Sequence, residues 1–419
     1  MLPSTSNEAE EPGADRPVTG GTAEVTALDT SVPTRPSRVL QMCTRYLRGG
    51  SEQRVRDVCD AFSDSDHTVI VGRDSDPEQL HKHLDVVEVI LEPSLCREPN
   101  PIRDARAVAR VCRLMRERNF DVVITHQSKA GVIGRISAHM SHGPPVVHSL
   151  SMASFGPGYG RMANHVYRPV ERFLSRWTDA YAVVGNDLAD RFARIGVERA
   201  KLNVIRSGAW LPRGGEVRTA AHARVAAAHG LPSDRPWVLY LGALEARKNV
   251  MSLPILHQQV LLMLPPPAPF LVVAGDGPRL DDLVALLDRM GLSGDARVLG
   301  YVPDPEALLV AADLLVLLSR AEGMPQALLQ ATAAGTPFVC CEVDGVDELL
   351  DLGAAGFVVD QGDVVGAARA VAGWINGAAL QPAPRPCPTV ELRSWQGAAV
   401  GRDLTTLISS VLARRSAAP

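Results

Sequence analysis

Lysine is nearly missing from this chain: of 43 basic residues only Lys82, Lys129, Lys201 and Lys248 are lysine, and the rest are arginine. Set against 47 acidic residues they leave a formal charge of −4, which gives no electrostatic case for nucleic acid. The seven cysteines show no CxxC spacing and fall mostly in apolar-periodic segments such as Val58-Cys59 and Val111-Cys112. That pattern excludes a disulfide framework and reads as reduced core thiols. No apolar run approaches the ~18 residues of a membrane span, and none follows a basic start, so a cytoplasmic protein is expected. His81 with His83, and His139 with His142, lack convergent carboxylate or cysteine partners, so no metal is expected.

What is present is the composition of a globular protein, 46% apolar and 21% charged over 419 residues, too long for one ordinary core. Residues 1–36 are rich in Glu, Pro, Gly, Thr and Ser without periodicity and read as a disordered tail. Strand and helix patterns then alternate through 37–212, from Arg38–Cys43 to Leu202–Ile205, which predicts a parallel sheet covered on both faces. Residues 213–236 read as a linker holding a short alanine-rich helix. A second alternating series occupies 237–385, and 386–419 ends in a helix around Trp395 to Ala413 that belongs to no strand. Asp64-Ser65-Asp66 and Asp74-Ser75-Asp76 flank a strand and read as solvated turns.

Most of the functional reading comes from the stretch Leu314 to Val339. Leu314–Leu318 is a continuous apolar run of the kind that a strand buried on both faces requires. Pro325 follows at the place of a first helical residue, and Gly335 at a helix stop. Glu322 therefore lies on a strand-to-helix turn, where open α/β sheets bind ligands and helix N-termini favour phosphate. Quoted as Glu322-Gly323-Met324-Pro325 followed by Gln330-Ala331-Thr332-Ala333-Ala334-Gly335, the stretch resembles the donor-site signature of family-4 retaining glycosyltransferases, with Gln330 where that pattern has a second glutamate.

The resemblance implies GT-B architecture: two Rossmann-like α/β domains facing an interdomain cleft, with the last helix crossing back to the first domain. It implies Glu322 and Lys248 as the catalytic pair, the carboxylate against the transferred sugar and the ammonium against the leaving diphosphate. Gly242, Arg247, Gly275, Gly277, Val302, Gly323, Met324, Pro325 and Gln330 complete the implied donor site. Val302 lies near the base, and Gln330 stands where the family grips the ribose. Where the family has an arginine after the glycine of Gly242, this chain has Ala243, so the guanidinium must come from Arg247 or another arginine. Gly49, Gly50, Lys129 and Ser151 are the candidates on the acceptor side; Ser151 replaces the family's histidine, and His148 reads as a structural strand-end residue. Asp344 is the expected N-cap of a short helix carrying Glu348.

The expected reaction moves a hexose-type sugar from a nucleotide diphosphate sugar to a hydroxyl of a saccharide, lipid-linked sugar or natural product, with retention and with no metal or other cofactor. Two alternatives share the architecture: a scaffold protein that lost catalysis, supported by Ala243, Gln330 and Ser151, and a sugar-nucleotide epimerase. Arg161, Arg168, Arg172 and Arg176 allow a peripheral contact with an anionic lipid or acceptor, the alternative being a solvated helix face.

Overall fold

The computed structural model describes residues 35–47, 50–84, 87–156, 158–208, 217–377 and 392–417. Most of the expected tail, Gly49, Cys387 and positions 209–216 at the domain junction lie outside the described residues. The first sheet contains β1 (Arg38–Cys43), β2 (Asp66–Gly72), β3 (Glu88–Glu92), β4 (Val122–His126), β5 (Val146–Leu150), β6 (Ala180–Val183) and β7 (Leu202–Val204). Between and after these strands run α1 (Gly50–Ala61), α2 (Pro77–His83), α3 (Pro101–Glu117), α4 (Ser128–Ser141), α5 (Arg161–Leu174) and α6 (Asn186–Arg194). Helix α7 (Arg218–His229) leads to the second sheet, made of β8 (Trp237–Leu241), β9 (Phe270–Ala274), β10 (Ala296–Gly300), β11 (Leu314–Leu317), β12 (Phe338–Cys341) and β13 (Gly356–Val359). Its helices are α8 (Leu253–Met263), α9 (Leu280–Arg289), α10 (Glu306–Ala311), α11 (Gln326–Ala334), α12 (Val346–Asp351) and α13 (Val364–Ile375), and α14 (Gly397–Ser416) ends the chain.

Every pairing in both sheets is parallel, with strand orders β3-β2-β1-β4-β5-β6-β7 and β10-β9-β8-β11-β12-β13. The continuous apolar run of β11 sits at the middle of the second sheet with no residue more than 1% exposed, as burial on both faces demands. Within the stretch expected to be a linker, α7 packs against α10 and buries Ala221 and Val225 in the core of the second domain. Helix α14 lays Val400, Leu404, Leu407, Ile408 and Val411 against α1 and the first sheet.

Three local expectations need correcting. Helix α2 was not expected, because Pro77–His83 offers Leu80 as its one aliphatic residue and therefore no periodicity. Asp76, read as a solvated turn residue, is its N-cap and accepts from the amides of Glu78 and Gln79 at 2.9 and 3.4 Å. Pro325 sits at the cap of α11 in extended backbone, φ −74° and ψ 98°, instead of at the first helical position. Gly335 does close that helix, with φ 73°.

Helix α5 is anchored by a fully buried ion pair. Arg135 on α4 donates to both Glu171 oxygens at 2.8 and 3.0 Å and to the Gly131 carbonyl at 2.8 Å. A pair this deep tolerates joint replacement better than loss of one partner. Glu171→Gln is expected to cost about 3–5 kcal/mol, read as a lower urea midpoint, and Arg135→Met with Glu171→Leu to recover most of the loss.

Candidate active site

Each sheet reverses its strand order once, between β1 and β4 in the first and between β8 and β11 in the second. Crevices outside the carboxyl ends at such points are where open parallel sheets bind ligands. Both sets of residues singled out from the sequence follow these strands: Gly49 and Gly50 after β1, Lys129 after β4, Gly242 to Lys248 after β8, and Glu322 after β11.

In the second domain the chain leaves β8 at Gly242 and makes a 3-10 turn over Ala246–Lys248, closed by Asn249 at φ 54°. That turn brings Lys248 Nζ to 2.6 Å from Glu322 Oε1 and Arg247 Nη1 to 3.1 Å from Glu322 Oε2. Arg247 also donates to the Ala321 carbonyl at 2.8 Å and to Glu245 at 2.5 Å, so a guanidinium turns inward four residues beyond Ala243. Glu322 is 7% exposed. Burial pushes its carboxyl up, but Lys248 and Arg247 outweigh burial and hold it below the usual carboxylate range. The pocket thus contains an ionised carboxylate with two cations on it.

Beside this cluster the strand ends of β8, β9 and β10 form a shelf. The Gly242 amide donates to the Ala274 carbonyl at 3.0 Å and the Gly275 amide to the Gly300 carbonyl at 2.8 Å. A Cβ on Gly275 would stand 1.9 Å from the Gly242 carbonyl, and one on Gly277 2.6 Å from that of Leu244. These glycines let adjoining loops cross at backbone contact and leave the shelf free of side chains. Val302, half-buried, lies just past the β10 end of the shelf. Gln330, also half-buried, is the fifth residue of α11, just over one turn beyond the Glu322 loop.

The first domain closes on this face. A Cβ on Gly323 would lie 2.0 Å from the Ser151 carbonyl, and one on Gly158 2.0 Å from the Arg320 carbonyl. Met324 packs under Gly345 and near Gly185. Tyr159, whose phenol is pushed up by burial and drawn back by Arg247 and Arg191, lies within electrostatic range of Glu322. Polar straps flank these contacts: Glu348 accepts from the Asn186 amide at 2.6 Å and pairs with Arg206, Asp187 accepts from the Gly345 amide at 2.8 Å, and Arg191 pairs with Asp344. Asp344 is therefore an interdomain residue and not the N-cap of α12, which is Gly345 at φ 83°. Burial pushes the Asp344 carboxyl up to about 6 against the opposing pull of Arg191.

The acceptor-side candidates fare differently. Ser151 faces Gly323 as just described, and Gly50 opens α1. Lys129 turns to α3, with Nζ 2.5 Å from Asp104 and 3.3 Å from the Glu98 carbonyl, so its charge serves helix packing. His148 is fully buried, bonded through Nδ1 to Thr125 Oγ1 at 2.8 Å; burial holds its imidazole neutral, far below the usual histidine range. Tyr159, Arg191 and Arg206 were missed. The glycines at 156, 158 and 160 were the available sign of a close backbone approach.

Residues 49–208 match the family model described as Glycosyl transferase 4-like domain, and residues 223–384 match Glycosyl transferases group 1. The chain is 27% identical over 282 residues to the UDP-Gal:alpha-D-GlcNAc-diphosphoundecaprenol alpha-1,3-galactosyltransferase of Escherichia coli, covering 67% of this chain and 73% of that one. It is 32% identical over 140 residues to the lipopolysaccharide core biosynthesis glycosyltransferase LpsE of Rhizobium meliloti, 33% of this chain and 39% of that one. The crystal structure of Anabaena HepE in complex with UDP and glucose superimposes with a TM-score of 0.69 at 17% identity, covering 89% of this chain and 100% of that one. The two-domain fold is therefore GT-B.

The glycine shelf yields a graded test. Gly275→Ala is expected to cost roughly 3 kcal/mol or more, from backbone strain and a clash with carbonyl oxygen. Gly335→Ala, at a left-handed position with open space around it, should cost about 1 kcal/mol. Urea unfolding of the two variants side by side checks the contrast.

Proposed function

The chain belongs to the glycosyltransferases, with a 4-like first domain and a group 1 second domain, and from that premise we propose that it moves a hexose from a uridine diphosphate sugar to a hydroxyl acceptor with retention of anomeric configuration. The observation that carries the reading is the cluster of Glu322, Lys248 and Arg247 at the strand-order reversal of the second sheet, facing Ser151 and Tyr159 across the cleft. The uridine nucleotide is inferred from the names of relatives: one uses UDP-Gal, and another is solved with UDP.

In this reading the nucleotide lies along the glycine shelf with its base toward Val302 and its ribose toward Gln330. The diphosphate takes Lys248 and Arg247, a point charge and a fork that complement phosphate oxygens. Glu322, relieved of its cations, accepts hydrogen bonds from sugar hydroxyls and stabilises positive charge growing at the anomeric carbon. The acceptor oxygen approaches that carbon on the face from which the diphosphate departs. As the bond from carbon to phosphate oxygen breaks, the acceptor proton passes to the leaving phosphate. Charge neutralisation is assigned to Lys248 and Arg247 in place of a metal.

Arg247 weighs against a degenerate scaffold, because the pocket retains a guanidinium despite Ala243. Gln330 accepts one ribose hydroxyl where a carboxylate would accept two, which weakens donor binding by about 1–2 kcal/mol without abolishing it.

The test separates binding from chemistry. Glu322→Gln frees Lys248 and leaves Arg247 paired with Glu245 alone, so it should tighten UDP binding about tenfold while lowering transfer about a hundredfold or more. Lys248→Ala should weaken UDP about tenfold or more. Calorimetry with UDP, and release of UDP from a panel of UDP-sugars with and without acceptor, measure both effects. A wild-type protein that neither binds a nucleotide nor releases one would overturn the proposal, and a new sugar isomer formed from donor alone would assign epimerisation instead.

A further inference from the structure

We propose that α5 docks this protein on an anionic phospholipid bilayer, which makes the acceptor a lipid-linked saccharide presented at headgroup level; the acceptor clause rests on the transferase reading above. The helix divides into three stripes. Asn164, Tyr167, Glu171 and Leu174 face inward: Asn164 holds the Gly156 amide and the Tyr159 carbonyl at 2.8 and 3.1 Å, and Glu171 holds Arg135. Met162, Val166, Pro169 and Phe173 face outward at helical spacing, with Met162 80% exposed, Val166 49% and Phe173 46%. Along the flank run Arg161, His165, Arg168, Arg172 and Arg176, all exposed.

An apolar stripe bordered by cations matches the boundary between acyl chains and anionic headgroups, where such helices lie in the plane of the membrane. The helix has one acidic residue, Glu171, and that one is turned inward to Arg135. The chain as a whole carries −4 and would be repelled by an anionic surface, so attraction has to come from this local concentration of arginine. Beyond Phe173 the surface stays cationic. Arg176 lies over the Phe173 ring at 4.5 Å and lines a cavity of about 470 Å³ with Lys201, Arg414 and Arg415, where Asp179 is the one acid. None of the described helices is long and apolar enough to cross a membrane, so the contact is peripheral.

Helix α5 also starts next to the candidate site. The loop that starts the helix is the one whose Gly158 touches the Arg320 carbonyl, two residues from Glu322. The start of the docked helix is thus next to the Glu322 loop, which sets the proposed acceptor site beside the membrane-facing element.

The experiment is co-sedimentation of the full chain with vesicles of phosphatidylcholine alone, and of phosphatidylcholine with about a quarter phosphatidylglycerol, at low and high salt. Binding is expected to the anionic vesicles alone and to fall with salt. Arg168→Gln with Arg172→Gln should weaken it about 30-fold, at roughly fivefold per arginine, and Met162→Ser with Phe173→Ser should weaken it by a similar factor. All variants should keep UDP affinity and the arginine pair the wild-type melting temperature; Phe173→Ser also loses its contacts with Trp177 and Arg176, so Met162→Ser alone, expected to weaken vesicle binding by a smaller factor, is the apolar variant read at unchanged melting temperature. Equal binding to both vesicle types, no binding at low salt, or variants that bind as wild type would overturn the docking. So would a concentration-dependent dimer dissolved by Met162→Ser with Phe173→Ser, which would assign the stripe to a second copy. UDP affinity is read separately, so a protein that binds UDP but no vesicles sinks the docking alone, and one that binds vesicles but no nucleotide sinks the transferase reading alone.

Discussion

A carboxylate and two cations, taken out of water together, tie the two central loops of the second domain to each other. Burying Glu322 alone would cost several kcal/mol and would protonate it. With Lys248 at 2.6 Å and Arg247 at 3.1 Å it stays ionised, and each cation is compensated in turn. The arrangement depends on β8 and β11 being neighbours, which the strand order of the sheet dictates. Arg247 is shared with a second carboxylate, Glu245 at 2.5 Å, so the cluster closes with two acids on two cations.

The first domain is held over this cluster by contacts that tolerate little change. Backbone meets backbone at Gly323 with Ser151 and at Gly158 with Arg320, where any side chain would clash. The flanking pairs, Arg191 with Asp344 and Arg206 with Glu348, add charge complementarity across the junction. These pairs are largely buried, and they flank an apolar cluster that runs from Phe155 and Leu188 of the first domain to Met324 of the second. Arg54 serves the first domain in a comparable way. Its buried guanidinium bonds Ser149, Ala182 and Ile205, fastening α1 to the ends of β5, β6 and the chain beyond β7; burial lowers its pKa to about 10.

Much of this was legible in the chain because the determinants are local. Leu314–Leu318 needs no partner to announce a doubly buried strand, and Gly335 stops α11 by its own backbone freedom. Lys248 and Glu322 stood out because each sits in a strand-to-helix turn, where ligand chemistry collects. The failures share a cause as well. Lys129 occupies the same kind of turn but spends its charge on Asp104, 25 positions earlier; Asp344 looks like a cap but serves Arg191, 153 positions away. Helix α2 has too few apolar residues to show a period.

By itself the sequence determined the alternation of strands and helices, hence two parallel sheets, and the residue types available at the end of each strand. Period, turn chemistry and apolar run length act over a few residues and are read directly. Only the tertiary structure decided which of those residues meet: that Arg247 turns inward to Ala321 and Glu322, that Lys129 pairs with Asp104 on α3, and that α5 keeps Met162, Val166 and Phe173 outside while Glu171 is drawn in. The physical reason is that charge pairing and burial are settled between segments far apart in the chain, where one side chain has several eligible partners and packing selects among them.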